Sequence, residues 1–179
     1  MTLFAEALGP AAWAALPEEV RAFHEGPDGV FSGEATIERG RNPVARWLAG
    51  AFGFPPDGRS VPVVIMVERG RGARGTEEHW HRSFDGHRLS TRLSVARPGR
   101  VIEAVGPSVF ELILRVDQGR LHLEVAAGRL FGLPLPRFLL PVSEAVEFAE
   151  HGTFAFDIAV RLFLIGPMIR YRGWLKPVA

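Results

Sequence analysis

The sequence predicts a mainly β protein: an up-and-down antiparallel β-barrel, or a strongly curved sheet, of about ten strands, lipocalin-like in the broad sense. Three observations carry this. Runs of two-residue alternation dominate the chain from Val30 onward. Short turn signals, among them Asp85-Gly86, Gln118-Gly119 and His151-Gly152, join neighbouring runs directly. Such turns leave no room for the crossover helices of a parallel sheet, and a long antiparallel sheet curls until closure removes its edges. A helix-grip α+β fold is the alternative, but it ends in a long amphipathic helix, whereas Tyr171-Arg172-Gly173-Trp174-Leu175 is strand-like.

Residues 1–27 read as short helices that pack on the sheet. Leu3, Phe4, Ala7 and Leu8 lie at helical spacing and Gly9-Pro10 stops them. Residues 11–15 form a turn carrying Trp13. Pro17 then opens a second helix, with Glu18 and Glu19 in its first turn, where the helix dipole favours acids. Leu16, Val20 and Phe23 mark its buried side and Gly26-Pro27 ends it. Over residues 30–38 the period becomes two: Phe31, Gly33, Ala35 and Ile37 on one face, Ser32, Glu34, Thr36 and Glu38 on the other. Asn42-Pro43 caps and starts a helix over about residues 43–52, with Val44, Trp47, Leu48, Ala51 and Phe52 as its apolar stripe. Further strands are expected over 61–68, 77–84, 88–95, 101–105, 109–116, 121–127, 144–149, 154–162 and 168–175, with a proline-punctuated apolar loop over 133–141. With no repeat and no linker, residues 1–179 read as a single domain whose antiparallel meander occupies 30–175.

Composition excludes several classes of function. With 179 residues, 47% of them apolar and 23% charged, the chain has enough apolar content for a folded core. A net charge of +1 gives no broad attraction for nucleic acid, which is not an expected partner. Absence of cysteine rules out disulfides, thiolate nucleophiles and zinc–cysteine sites. The first six residues lack a basic n-region, and no apolar run reaches the ~20 residues of a spanning helix, so the expected location is cytoplasmic. Nothing in the sequence calls for a cofactor.

The segment 77–84 carries the most chemistry. Alternation places Glu78, Trp80, Arg82 and Phe84 on one face, two aromatics with an opposed charge pair. Inside a barrel this is an apolar lining with a polar anchor, as in small-molecule pockets. Equally, Trp80 and Phe84 are plain core while Glu78 and Arg82 pair with neighbouring strands. The other face offers His79 and His81, weak metal candidates with Glu77 or a cross-strand His87 as third ligand; a solvated polar face explains them as well. His24, His122 and His151 read as ordinary residues near element ends.

No residue is assigned as catalytic. The serines lack a Gly-x-Ser-x-Gly turn, and Asp157, a possible acid–base group, is expected on a solvated face with Arg161, opposite Phe154, Phe156, Ile158 and Val160. Residues 71–75, Arg-Gly-Ala-Arg-Gly, read as an exposed loop rather than a phosphate cradle. Residues 130–141 hold too much apolar surface to lie freely in water; they either cross the fold buried, or cap the barrel, dock a partner domain or touch a membrane peripherally. Residues 163–168 are similar.

A series of landmarks is familiar: Leu8-Gly9, Trp13, Leu16-Pro17, Val20-Arg21 and His24, then Phe31-Ser32-Gly33, Arg39-Gly40 and Gly53-Phe54-Pro55. Residues 80–84, Gly106-Pro107, residues 133–136 and the run from Tyr171 to Leu175 continue it. Together they resemble the bacterial domain-of-unknown-function family numbered 4166, over nearly the whole chain. The resemblance implies an accessory or ligand-handling module and transfers no catalytic residue. It keeps Trp80, Arg82 and Phe84, with Tyr171 and Trp174, as site candidates. The resulting expectation is a module holding a small apolar or amphipathic, possibly acidic, ligand inside a barrel. The rivals are an enzyme using a buried acid or base in the same cavity, and a partner-docking module with a filled core.

Overall fold

The computed structural model describes residues 2–25, 29–72 and 75–178. Three short helices come first: α1 (Leu3–Leu8), α2 (Pro10–Ala14) and α3 (Glu18–Glu25). Then follow β1 (Gly29–Arg39), α4 (Pro43–Ala51), β2 (Gly58–Gly72), β3 (Gly75–Phe84), β4 (His87–Arg97), β5 (Arg100–Val105) and β6 (Ser108–Asp117). The second half holds β7 (Arg120–Leu130), the two-residue β8 (Leu133–Pro134), a 3-10 turn (Arg137–Leu139), β9 (Val142–Glu150), β10 (Thr153–Leu162) and β11 (Gly166–Pro177).

Each strand pairs antiparallel with its sequence neighbour, except that β7 passes over β8 to pair with β9, and the last strand β11 returns to β1. The circuit is closed, giving an up-and-down barrel of ten long strands with β8 appended to β7. The helix-grip alternative is thereby excluded, because the place of its terminal helix is taken by β11, paired on both sides.

The turns follow the sequence signals. Asp85-Gly86, Gln118-Gly119 and His151-Gly152 all have both central residues at positive φ, the mirror-image turn whose twist matches paired strands. Gly33 and Gly173 are required for another reason. A methyl group on Gly33 would fall inside contact distance of the Trp174 carbonyl oxygen, and one on Gly173 would meet that of Glu34, so β1 and β11 close only around bare glycine. The strands outrun their apolar alternation, β2 reaching from residue 58 to 72 where the pattern covers 61–68. Ladder hydrogen bonds belong to the backbone and continue where side chains give no signal.

Four local expectations are corrected. Trp13 lies on the one-turn helix α2 rather than in a turn. Pro17 sits just outside α3, its carbonyl accepting from the Arg21 amide at 3.0 Å. The proposed stop at Gly26-Pro27 lies outside the described residues. On α4, Ala45 and Ala49 are the buried positions, while Trp47 is 70% exposed. Alanine lets the helix lie close on β1 and β11, and Leu48 and Phe52 turn toward the barrel mouth.

The core fills one end of the barrel. Leu3, Phe4 and Ala7 of α1 and Val20 and Phe23 of α3 plug that end against Val67, Trp80, Leu121 and Phe154. The stacked pair Phe23 and Phe154, 4.1 Å between ring centroids, marks the floor. Among the described residues no helix is long and apolar enough to cross a membrane.

Candidate ligand cavity

Above the floor the barrel is hollow. A cavity of about 500 Å³ runs from Phe4, Phe23 and Trp80 to the opposite end, within the ~300–1,000 Å³ range of ligand pockets. Its wall is largely apolar, Ile65, Leu93, Phe110, Leu112, Val125 and Ile158 being typical. The polar groups inside include Arg82, Thr91, Glu103, Tyr171 and Glu147.

Alternation on β3 sends Glu78, Trp80, Arg82 and Phe84 inward, and register brings their partners opposite. Glu78 is fully buried, accepts from the Trp80 indole nitrogen at 2.8 Å and meets the Arg69 guanidinium at 3.4 Å. Arg69 also donates to the Phe23 carbonyl at 2.9 Å. Glu78 thus ties β2, β3 and α3 together beneath the cavity, and it does not line it. Arg82 does line it. Its guanidinium donates to the Thr91 hydroxyl at 2.9 Å, lies 3.8 Å from Glu103 and rests over the Trp80 ring at 4.8 Å. Phe84, 1% exposed, packs edge-on against Tyr171 at 5.5 Å.

Tyr171 and Trp174 part company. Tyr171 is inward and 7% exposed, and its hydroxyl makes no hydrogen bond among the described residues. Burial pushes its titration up to about 12; Arg82 opposes this, while Glu103 and Glu147 add to it. Trp174, three residues on, falls on the outer face, 38% exposed with the Lys176 ammonium 5.4 Å from its ring centre. The two-residue period forbids both from facing one cavity, so Trp174 leaves the site.

The raised Tyr171 value has a testable consequence. The neutral phenol is favoured in the folded state, so stability is intact below the unfolded value near 10 and lost as pH rises through about 12. Tyr171 is the only tyrosine, so tyrosinate absorbance reports it alone. The spectrophotometric titration is expected near 12 or coincident with alkaline unfolding, whereas a midpoint near 10 in folded protein would refute the burial described.

His79 and His81 point outward. His81 pairs with the Ser90 hydroxyl at 3.0 Å and lies 3.8 Å from Glu68. His87 stands opposite Phe84, on the inward parity, and cannot join them; Glu77 stands opposite Ser94. Among the described residues no three ligating groups come together. Asp157 also faces outward, held by Arg170 through bonds of 2.9 and 2.5 Å that raise the arginine's pKa. Arg161, of the same parity on β10, is exposed on that outer face as expected. Of the loop expected at 71–75, Arg71, Gly72 and Gly75 belong to the β2–β3 ladder, and Ala73 and Arg74 lie outside the described residues.

The sequence reading missed a buried pair. His24 Nε2 lies 2.6 Å from the Glu147 carboxylate, with the imidazole fully buried and 3.9 Å from the Phe4 ring. A signal existed, since Val20, Phe23 and His24 share one face of α3 at i, i+3 and i+4. Glu147 was hidden because β9 places Ser143, Ala145 and Glu147 inward, a face with little apolar content where it borders the cavity rather than packed core.

The mouth is built from three apolar segments: α4 through Leu48 and Phe52, residues 130–141 through Leu135, Phe138 and Leu139, and the β10–β11 turn through Phe163 and Leu164. β7 and β9 pair only across Leu121–Leu123 and Ala145–Glu147. Beyond that, residues 131–141 cross between them, anchored where the Leu135 amide donates to the Gly128 carbonyl at 2.8 Å. The segment is therefore not the buried crossing that its apolar content allows. One side faces the cavity, while Phe131, Leu133 and Phe138 remain exposed.

Geometry alone defines a class: a closed antiparallel barrel with a hollow, mainly apolar interior. Within that class the chain belongs to the family described as a domain of unknown function (DUF4166), whose model matches residues 16–175. Among solved structures it is similar to a "secretary abundant heat soluble (SAHS) protein" from Ramazzottius varieornatus. The two share 12% identity over 86% of this chain and 97% of that one, with a TM-score of 0.43. No curated protein matches the chain.

Proposed function

We propose that the barrel binds an amphipathic molecule, its polar end among Arg82, Thr91 and Tyr171 and its apolar part toward the mouth. The observation that carries this reading is the mainly apolar hollow of about 500 Å³ with the polar side chains of Arg82, Thr91 and Tyr171 in its wall. The Tyr171 phenol lines that hollow and can donate to an acceptor oxygen on a ligand. Arg82 contributes a second donor, because its Glu103 contact at 3.8 Å is too long to consume it. A head group bearing oxygen, a carboxylate or an alcohol, fits this donor set.

Titration calorimetry with hexadecanoate and with hexadecanol tests the reading. Binding of at least one is expected, with the negative heat-capacity change of apolar burial. Arg82→Leu, folded by circular dichroism, is expected to weaken hexadecanoate ~10-fold or more, as befits a hydrogen bond to a charged group. No binding of either compound, or equal binding by the variant, would remove the support for this mode.

A further inference from the structure

The mouth of the barrel differs from the rest of the surface in two ways at once. Six large apolar side chains stand out from it: Trp47 on α4, Phe131, Leu133 and Phe138 on the crossing segment, and Phe163 and Leu164 on the β10–β11 turn. Trp47 is 70%, Phe131 78% and Phe163 75% exposed, although an isolated fold gains by covering such groups. The same segments are rich in exposed arginine. The mouth segments carry exposed Arg41, Arg46, Arg129, Arg137 and Arg161 against Asp57 and Asp85. The plugged end is mixed in charge, with Glu6, Glu18, Glu19 and Glu25 on its helices and Arg71, Arg97, Arg115, Arg120 and Lys176 near its strand ends.

We infer that the mouth docks on an anionic lipid surface. Three separate tips arranged around an opening suit a plane that yields to each of them, rather than a single groove for a partner's helix. Aromatic and leucine side chains entering the interface, ringed by arginines, are the two elements of peripheral membrane attachment. The cavity opens between the same tips, so docking sets its interior against the bilayer. The source of the ligand is then the membrane itself, a conclusion that rests on the binding reading above.

Sedimentation with vesicles of phosphatidylcholine containing phosphatidylglycerol, against pure phosphatidylcholine, tests the docking. Binding to the anionic vesicles is expected, weakened by salt and reduced ~10-fold or more by Phe131→Ser combined with Leu133→Ser. Phe131 and Leu133 are exposed and do not line the cavity, so hexadecanoate binding in solution should survive their replacement. Arg137→Glu with Arg161→Glu should lower binding to anionic vesicles while leaving the fold intact. Failure of every vesicle preparation to bind, or full binding by the double serine variant, would overturn the inference. So would a concentration-dependent dimer lost in that variant, which would make a second copy the occupant of the rim. Vesicle binding without hexadecanoate binding would uphold the docking and sink the cavity reading instead.

Discussion

Replacing Glu147 by alanine is expected to destabilise the protein by about 3–5 kcal/mol, because it strands a fully buried imidazole. His24 lies 2.6 Å from Glu147 with Phe4, Phe23, Trp80 and Phe154 around its ring, so no other side chain stands ready to replace the lost partner. His24→Ala should cost as much, since it strands a carboxylate and opens a hole against Phe4. The double replacement His24→Leu with Glu147→Leu should regain most of the loss, as apolar pairs of similar volume often equal buried polar ones. Urea midpoints at constant m would show this non-additivity, and simple addition of the two single losses would mean that the pair does not act as a unit.

The second large effect concerns the hollow. Ala145 of β9 faces the cavity, opposite Leu123 on β7 and Ile158 on β10. In a packed interior Ala145→Trp would overfill the core and cost ~1–3 kcal/mol. Here the indole enters empty space, so stability is expected to hold within ~1 kcal/mol, while hexadecanoate binding falls ~100-fold for want of room. A large loss of stability would show that the interior is closed in solution. Unchanged binding would place the ligand elsewhere.

Most of the barrel is legible in the sequence because its determinants are local. Glycine after Asp85, Gln118 and His151 fixes three tight turns, and alternation on β3 sends Trp80 and Phe84 inward without knowledge of any neighbour. What stays hidden depends on residues distant in the chain. Arg69 and Glu78 face each other only through the β2–β3 register, and His24 meets Glu147 across 123 positions. The same limitation explains the misreading of α4. Its heptad-like stripe is real, but which side is buried depends on how closely β1 and β11 approach, and alanine, not tryptophan, fits there. Trp174 needed only counting: an odd separation from Tyr171 on one strand puts the two on opposite faces.

The hollow itself is the part of the site that a sequence cannot display, since apolar inward residues line a cavity and a core alike. Native mass spectrometry of the protein taken directly from cells, followed by release under denaturing conditions, tests it most directly. The expected result is a mass above that of the bare chain, from a bound amphipathic molecule that Ala145→Trp fails to retain. Bare wild-type protein that also takes up neither hexadecanoate nor hexadecanol when they are added would contradict the account.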